Sequence, residues 1–192
     1  MRYNPTQKEL TRSRIIAVAT GLFKVHGTDA TGIATIMSEA GLTNGAFYAH
    51  FNSKEALVEA VIEEQLTAQL EAFKKELGGI EGLKRITELY LSDAHLHNCA
   101  EGCPSAALLG EISKRSNSTR AIYTSGLKEI TNELLASTGS TAINGKQTIL
   151  ALFGLLIGTL QLARTVTDEA LARDIIKGGH TAAYDLLDSF DE

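Results

Sequence analysis

The chain has 192 residues, of which 44% are hydrophobic and 21% are charged, a composition that excludes a disordered chain and allows one or two packed domains. The net charge of -5 hides an asymmetry, because residues 1–57 hold six Lys and Arg against four Asp and Glu, whereas the rest holds 12 against 19. Attraction to a polyanion therefore belongs to the N-terminal part. The chain starts without the apolar run of a signal peptide and has two cysteines, so we expect a reducing cytoplasm.

Helical periodicity starts near the beginning of the chain. Residues 6–25 place apolar side chains on one face, and residues 33–40 form a short amphipathic helix. Thr31 is the expected N-cap of this second helix, and Gly41 is its expected stop.

A third helix is predicted immediately after this stop. Thr43 suits its N-cap, and Leu42 and Phe47 occupy the two positions of a hydrophobic staple, which fixes the angle at which the chain enters the helix. Two short helices joined by a tight turn that contains glycine are the helix-turn-helix pattern. The sequence therefore predicts a DNA-reading element at this point.

The remainder of the chain also has helical spacing. A long helix is predicted over 53–77, with Asn52 or Ser53 as its cap, and a second helix over 80–98 after a glycine break. Pro104 opens the next helix. A kink or restart is expected at 116–118, a loop at 137–145, and two final helices over 145–166 and 168–190. Since no alternating strand pattern appears, the predicted fold class is all-α.

Residues 31–57 resemble the DNA-binding signature of the TetR family of transcriptional regulators. The matching residues are Ala40, Gly41, Thr43, Gly45, Tyr48, His50, Phe51, Lys54 and Leu57. The resemblance covers about the first quarter of the chain. It implies a three-helix helix-turn-helix DNA-binding domain over 1–52 and a helical domain for ligand binding and dimerisation over 53–192. It also implies a homodimer that binds a palindromic operator in double-stranded DNA. A small-molecule effector would release the homodimer from this operator.

The side chains around the third helix suit the two kinds of DNA contact. Helix N-termini and groups such as a phenol or an ammonium bind phosphates, which set the register on DNA. Asn44 and Ala46 are better placed to meet base edges, because Asn pairs with adenine and a methyl group meets thymine. The predicted DNA-binding residues are Thr31, Thr43, Asn44, Gly45, Ala46, Tyr48, His50 and Lys54.

A ligand pocket is expected among the middle helices. Asp93 and His97 lie four residues apart on a stripe that is otherwise apolar, and a mainly apolar pocket with few polar groups is typical of small-molecule sites. The two side chains also fit a simple surface pair. The predicted pocket residues are Tyr90, Asp93, Ala94, His97, Cys103, Leu108, Tyr123, Leu127 and Phe153.

Two cysteines close to two histidines leave three interpretations open. A metal site is disfavoured because Cys99 and Cys103 lack the paired spacing of structural zinc sites, and no cofactor is expected. A thiol sensor for oxidants or electrophiles is the alternative function, because Cys103 precedes a helix N-terminus that lowers a thiol pKa. The third interpretation is two reduced cysteines packed as small apolar groups.

The segment 145–166 is apolar nearly all round, so we expect burial on more than one side. It is too short for a confident membrane span, and no membrane partner is expected. The resemblance implies that the last two helices form a four-helix interface with a second subunit. The predicted interface residues are Ile149, Leu152, Gly154, Leu156, Gly158, Ala182 and Leu186.

The sequence lacks a phosphate loop, a nucleophile elbow, a zinc-protease motif and a dinucleotide fingerprint. An enzyme is therefore not expected. The remaining rival is a helix-turn-helix protein without a ligand, in which residues 58–192 serve only as a dimer scaffold. An internal cavity separates this rival from a ligand-responsive regulator.

Overall fold

A computed structural model describes residues 5–139 and 144–188, and within these ranges the chain is helical without a strand. The helices are α1 (Pro5–His26), α2 (Ile33–Glu39), α3 (Asn44–Phe47), α4 (Lys54–Lys74), α5 (Gly79–Tyr90), α6 (Asp93–His97), α7 (Pro104–Ile112), α8 (Asn117–Thr138), α9 (Gly145–Thr165) and α10 (Glu169–Asp188). The predicted all-α class is confirmed. The predicted loop at 137–145 falls partly outside the described residues, as does the end of the last predicted helix.

The first three helices form a small head around aromatic and aliphatic side chains. Phe23 of α1, Ile36 and Met37 of α2, and Phe47 of α3 are all fully buried. α1 and α2 pack together, α2 packs on α3, and α1 also packs on α4. The helix-turn-helix therefore rests directly on the helix that leaves the head.

The predicted helix caps are partly confirmed. Thr43 is the N-cap of α3, and Ser53 caps α4 by accepting a hydrogen bond from the Ala56 amide at 3.1 Å. Thr31 does not cap α2, because Gly32 occupies that position. The Thr31 hydroxyl instead points into the head and donates to the carbonyl of Gly27 at 2.8 Å, which the turn at this residue (φ 84°) presents to it.

The predicted helix over 80–98 is in fact two helices. α5 ends at Tyr90, and Ser92 begins α6 by accepting a hydrogen bond from the His95 amide at 3.2 Å. A serine that bonds the backbone in this way starts a new helix rather than continuing an old one. Asp93 and His97 consequently leave the apolar stripe of α5 and are exposed.

The body of the protein is built on two long helix pairs, since the most extensive packing joins α9 to α10 and α4 to α8. α4 and α8 meet at Gly126. A β-carbon built there would lie 2.9 Å from the β-carbon of Leu66 and 2.7 Å from its Cδ1. The missing side chain at this position therefore sets how closely α8 approaches α4.

By length and composition, α9 is apolar enough to cross a membrane, with a mean hydropathy of 1.5 over its 18-residue window. Core helices of soluble proteins share this property. One side of α9 is buried against its neighbours, but only 39% of the window is buried. Leu150 and Leu162 are 40% and 56% exposed. The helix thus carries an apolar face that the protomer itself does not cover.

We predict that Gly126→Ala destabilises the protein by about 1–3 kcal/mol, the usual result of forcing an extra methyl group into a packed contact. Gly110→Ala is the matched control, because this exposed helical glycine has no atom within 4 Å of an added β-carbon. Chemical denaturation measures both variants. Equal stability of the two would contradict the close α4–α8 approach.

Candidate DNA interface and ligand cavity

The surface of α3 and its flanks is open to solvent. Thr43, Asn44 and Gly45 are exposed, Ala46 is half-buried, and the Tyr48 ring is 66% exposed. A β-carbon at Gly45 would meet no atom within 4 Å, so the fold of the protomer does not require glycine there. The missing side chain leaves this surface open to the close approach of another molecule.

Cationic side chains lie beside this surface. Burial lowers the pKa of His50, and the positive charges of Lys8 and Arg12 lower it further. The guanidinium of Arg12 also lies over the Phe51 ring, 5.0 Å from its centroid. The sequence prediction omitted Lys8 and Arg12 from the site. Their spacing on the first helix was the available signal, but only the folded head brings them to His50.

Two predicted phosphate contacts are placed differently from the expectation. The Lys54 ammonium donates to the backbone carbonyl of Asp29 at 3.3 Å and so helps to hold the turn between α1 and α2. Thr31 is buried with its hydroxyl engaged inside the head. The Thr31 side chain therefore packs inside the head, and the structure does not place its hydroxyl at the predicted DNA surface.

A group of charged and polar residues, which we call the polar junction, links the head to the body. It consists of Thr28, Asp29, Glu55, Glu111 and Arg115. The Arg115 guanidinium contacts Glu55 at 3.2 Å and also bonds the side chains of Thr28 and Asp29. The Glu111 carboxylate accepts a hydrogen bond from the Thr28 amide at 2.8 Å. The α1–α2 turn, the start of α4 and the α7–α8 turn therefore meet at one point.

A cavity of about 450 Å³ lies between α4 and the α5–α7 segment, and we call it the α4 cavity. Its volume is typical of small-molecule sites. Its floor consists of buried residues, namely Gln69, Ile86, Tyr90, Cys103 and Pro104. Its rim consists of exposed residues, namely Ala68, Ala72, Leu89, Ala94, Asn98 and Glu101.

Only part of the predicted pocket lines this cavity. Tyr90, Ala94 and Cys103 do so, whereas Asp93 lines a different surface cavity beside α10, and His97 is exposed. The cause is the break between α5 and α6, which turns these two side chains outward.

The remaining predicted pocket residues do not line the α4 cavity. Leu108 is buried in the core, and Leu127 packs against that core. The Phe153 ring meets the Tyr90 ring edge-on, with 6.4 Å between the ring centroids. The Tyr123 hydroxyl bonds Ser105 at 2.9 Å. Sequence reasoning missed the α4 residues of the cavity, because long polar side chains on a helix usually indicate a solvated face.

Hydrogen bonds fix the floor of the α4 cavity. The Cys103 amide donates to Nε2 of His95 at 2.9 Å, and Nδ1 of His95 lies 2.7 Å from the Tyr90 carbonyl. A neutral imidazole ring that accepts a hydrogen bond at Nε2 must carry its proton at Nδ1. Burial lowers the pKa of His95 and outweighs the opposing effect of the hydrogen bond to the Tyr90 carbonyl, and the charges of Arg164 and Lys24 lower this pKa further. His95 is thus held neutral.

The cavity wall is also tied to α1. Gln65 of α4 accepts a hydrogen bond of 2.6 Å from the ammonium of Lys24, a side chain that is only 6% exposed. Burial lowers the pKa of Lys24. The Cys99 thiol donates to the Lys24 carbonyl at 3.2 Å. The cavity wall is therefore in direct contact with the end of α1, inside the head.

The predicted dimer residues fall into two groups. Ile149, Leu152 and Leu156 are at most 2% exposed within the protomer, so they are core residues and not contacts for a partner. Leu186 packs against the core of the protomer. The other residues lie on an uncovered surface, which we call the free face. It contains Leu150, Ala151, Gly154, Gly158 and Leu162 of α9 and Leu171, Gly178 and Ala182 of α10.

The comparisons with known proteins agree with this architecture. Residues 15–61 match the family profile described as "Bacterial regulatory proteins, tetR family". The HTH-type transcriptional regulator YvdT of Bacillus subtilis is 26% identical over 163 residues, which are 82% of this chain and 84% of that protein. UidR of Escherichia coli is 30% identical over 90 residues, or 47% of this chain and 46% of UidR.

Among solved structures, the reduced form of NemR from E. coli superposes with a TM-score of 0.77 at 19% identity, and covers 91% of this chain and 95% of that one. At this identity the likeness concerns the fold. A three-helix head with an exposed short helix, joined to an all-helical body, defines a helix-turn-helix transcription regulator. The profile match over residues 15–61 identifies the head as a DNA-binding domain of the kind found in the TetR family of bacterial regulatory proteins.

No group of three or more His, Cys, Asp or Glu side chains within 5–139 and 144–188 is arranged to hold a metal ion. Cys99 and Cys103 are both free thiols.

We predict that protonation of His95 destabilises the fold. Its pKa in the folded protein lies below the ordinary value of about 6.5, so the unfolded chain binds more protons as the pH falls. The stabilisation is therefore complete above about pH 6.5 and is lost below it. Thermal unfolding between pH 7.5 and 5.5 should show a smaller pH dependence for His95→Gln than for the wild type.

The exposed His97→Gln is the control for this experiment and should keep the wild-type profile. If His95→Gln and His97→Gln titrate alike, the neutral His95 is not a stabilising element of the cavity floor.

Proposed function

We propose that this protein is a repressor that acts as a homodimer in the bacterial cytoplasm, binds a palindromic operator and leaves it when a small molecule fills the α4 cavity. The observation that carries this proposal is that α4 begins at the head and ends as the wall of a 450 Å³ cavity. A helix-turn-helix scaffold without a ligand has no need of such a cavity. The proposal assigns no catalytic role, in keeping with relatives that are transcription regulators.

The DNA surface in this proposal is α3 with its flanks. Asn44 and Ala46 face the bases, and Thr43, Gly45 and Tyr48 lie against the phosphate backbone. His50 joins them with Lys8 and Arg12, because their positive charges and the imidazole lie together. Lys54 contributes to this positive surface while its ammonium supports the α1–α2 turn.

The second subunit binds the free face of α9 and α10. Added β-carbons at Gly154 and Gly158 would meet nothing inside the protomer, which leaves space for the close approach of another helix. The exposed leucines of the same face favour burial, at about 25 cal/mol for each Å² of apolar surface removed from water. A dimer also places two heads side by side, as a palindromic operator requires.

We expect Gly158→Trp to weaken the dimer roughly tenfold or more, because overpacking a close helix contact costs about 1–3 kcal/mol. Gly110→Trp adds the same side chain at an exposed helical glycine outside the free face and should leave the dimer intact. Sedimentation equilibrium measures both. A wild-type protein that stays monomeric at micromolar concentration contradicts the proposed interface.

The DNA assignments predict opposite effects for two exposed side chains. Tyr48→Phe removes a phosphate contact and should weaken binding to operator and unrelated DNA alike. Asn44→Ala should reduce discrimination at one position of each half-site by about 1–3 kcal/mol. Fluorescence anisotropy with matched and mismatched duplexes separates the two. The assignments are wrong if Tyr48→Phe changes specificity or Asn44→Ala leaves it unchanged.

The function itself is tested by selection from random DNA. The proposal predicts an inverted repeat whose half-sites lie about one helical turn, 34–36 Å, or a multiple of it apart. Release of this DNA by a compound that binds the α4 cavity completes the test. Enrichment of asymmetric sequences only, or of none, contradicts a dimeric repressor.

The second candidate function is a thiol-based repressor that responds to oxidants or electrophiles. The observation that favours it is the place of Cys103, at the N-terminus of α7 and on the floor of the α4 cavity. Replacing Cys103 by Ser discriminates between the candidates. Covalent sensing requires the thiol and loses its response, whereas noncovalent binding keeps it.

A further inference from the structure

Two polar groups on the floor of the α4 cavity are buried without partners. Gln69 is 9% exposed and Tyr90 is 4% exposed, and neither Oε1 of Gln69 nor the Tyr90 hydroxyl finds a hydrogen-bond partner in the described part of the chain. A buried polar group that stays unpaired destabilises the fold. A fold that keeps two of them on one cavity floor is suited to a ligand that pairs with both.

Both groups lie close to the thiol of Cys103. Nε2 of Gln69 is 3.0 Å from the Cys103 sulfur, and burial, together with this same sulfur, raises the pKa of Tyr90. Whichever way the Gln69 amide is turned, one of its polar atoms contacts the thiol and the other is left without a partner in the cavity lining. A ligand group that both donates and accepts hydrogen bonds fits either orientation. A hydroxyl has this property.

The rest of the lining determines the body of the ligand. Phe73 and Tyr90 both meet the ring of Phe153 edge-on, at 6.5 Å and 6.4 Å between centroids. Aromatic walls of this kind favour a flat ring. The lining contains Glu76 and Glu101, whereas the two cations beside it, Lys24 and Arg164, are bonded to the Gln65 side chain and to the backbone carbonyls of residues 95 and 96. These carboxylates disfavour an anion.

We propose that the effector is a neutral, mainly apolar ring compound with one hydroxyl group, a phenol in chemical class, which hydrogen-bonds Gln69 and Tyr90 on the cavity floor. This inference rests on the proposed function, because it names the class of molecule that releases the DNA. It also assigns the two residues that determine specificity. The hydroxyl recognises the floor, and the ring fills the apolar space between α4 and α5.

Three probes of one shape test the class, namely 2-naphthol, naphthalene and 2-naphthoate. Calorimetry on the full-length dimer should show 2-naphthol binding at least about tenfold more tightly than either other probe, since a site built for a hydroxyl leaves polar groups unpaired without it. Tyr90→Phe and Gln69→Leu should each remove most of this preference. Tyr123→Phe is the matched control, because that hydroxyl is already paired with Ser105, and it should behave as the wild type.

The inference is overturned if 2-naphthol fails to bind, if 2-naphthoate binds as tightly, or if Tyr90→Phe and Gln69→Leu keep the wild-type preference. A second arm measures operator affinity with and without each probe. Binding of 2-naphthol without release of DNA contradicts the proposed function and leaves the ligand class standing. Release by 2-naphthoate alone supports the proposed function and overturns the ligand class.

Discussion

The regulation proposed here depends on one helix that belongs to two sites. α4 starts at the Ser53 cap beside the DNA-reading head and supplies Gln65, Gln69 and Phe73 to the wall of the α4 cavity. Its 21 residues span about 30 Å at 1.5 Å per residue, without an internal glycine or proline. A helix without such breaks has no built-in point for a sharp kink, so in the proposed mechanism α4 carries a displacement at the cavity to the head.

Two lateral contacts connect α4 to the head in this mechanism. Near the cavity, the Lys24–Gln65 hydrogen bond ties α4 to the end of α1. Near the head, Arg115 holds Glu55 of α4 and Asp29 of the α1–α2 turn together. A ligand shifts the balance only if it binds the released arrangement more tightly than the DNA-bound one. By linkage, operator DNA must then weaken ligand binding by the same factor.

The head was predictable because its signals are local. The Thr43 cap and the apolar spacing of α2 act over a few residues, and the structure places the helices where these signals indicate. Thr31 is the exception, because its hydroxyl bonds the carbonyl of a glycine turn that spacing alone does not reveal. The positions of Lys8 and Arg12 beside His50 also required the folded head.

The cavity and the interface were harder to predict, because they depend on distant packing. Ser92 interrupts a stripe that appeared continuous and so removes Asp93 and His97 from the pocket. For α9, an apolar composition cannot distinguish the side that the protomer buries from the side left for a partner. Leu152 and Gly158 lie on these opposite sides, and only the packing against α10 separates them.

Hydrogen exchange of the dimer, free and bound to its selected operator, tests the coupling of head and cavity most directly. If α4 joins the two sites, operator binding must alter amide exchange not only in α1–α3 but also in residues 65–76 and 98–103, which line the cavity far from the DNA. The account predicts such a change in both cavity segments. Exchange rates in these segments that are identical with and without operator would contradict it.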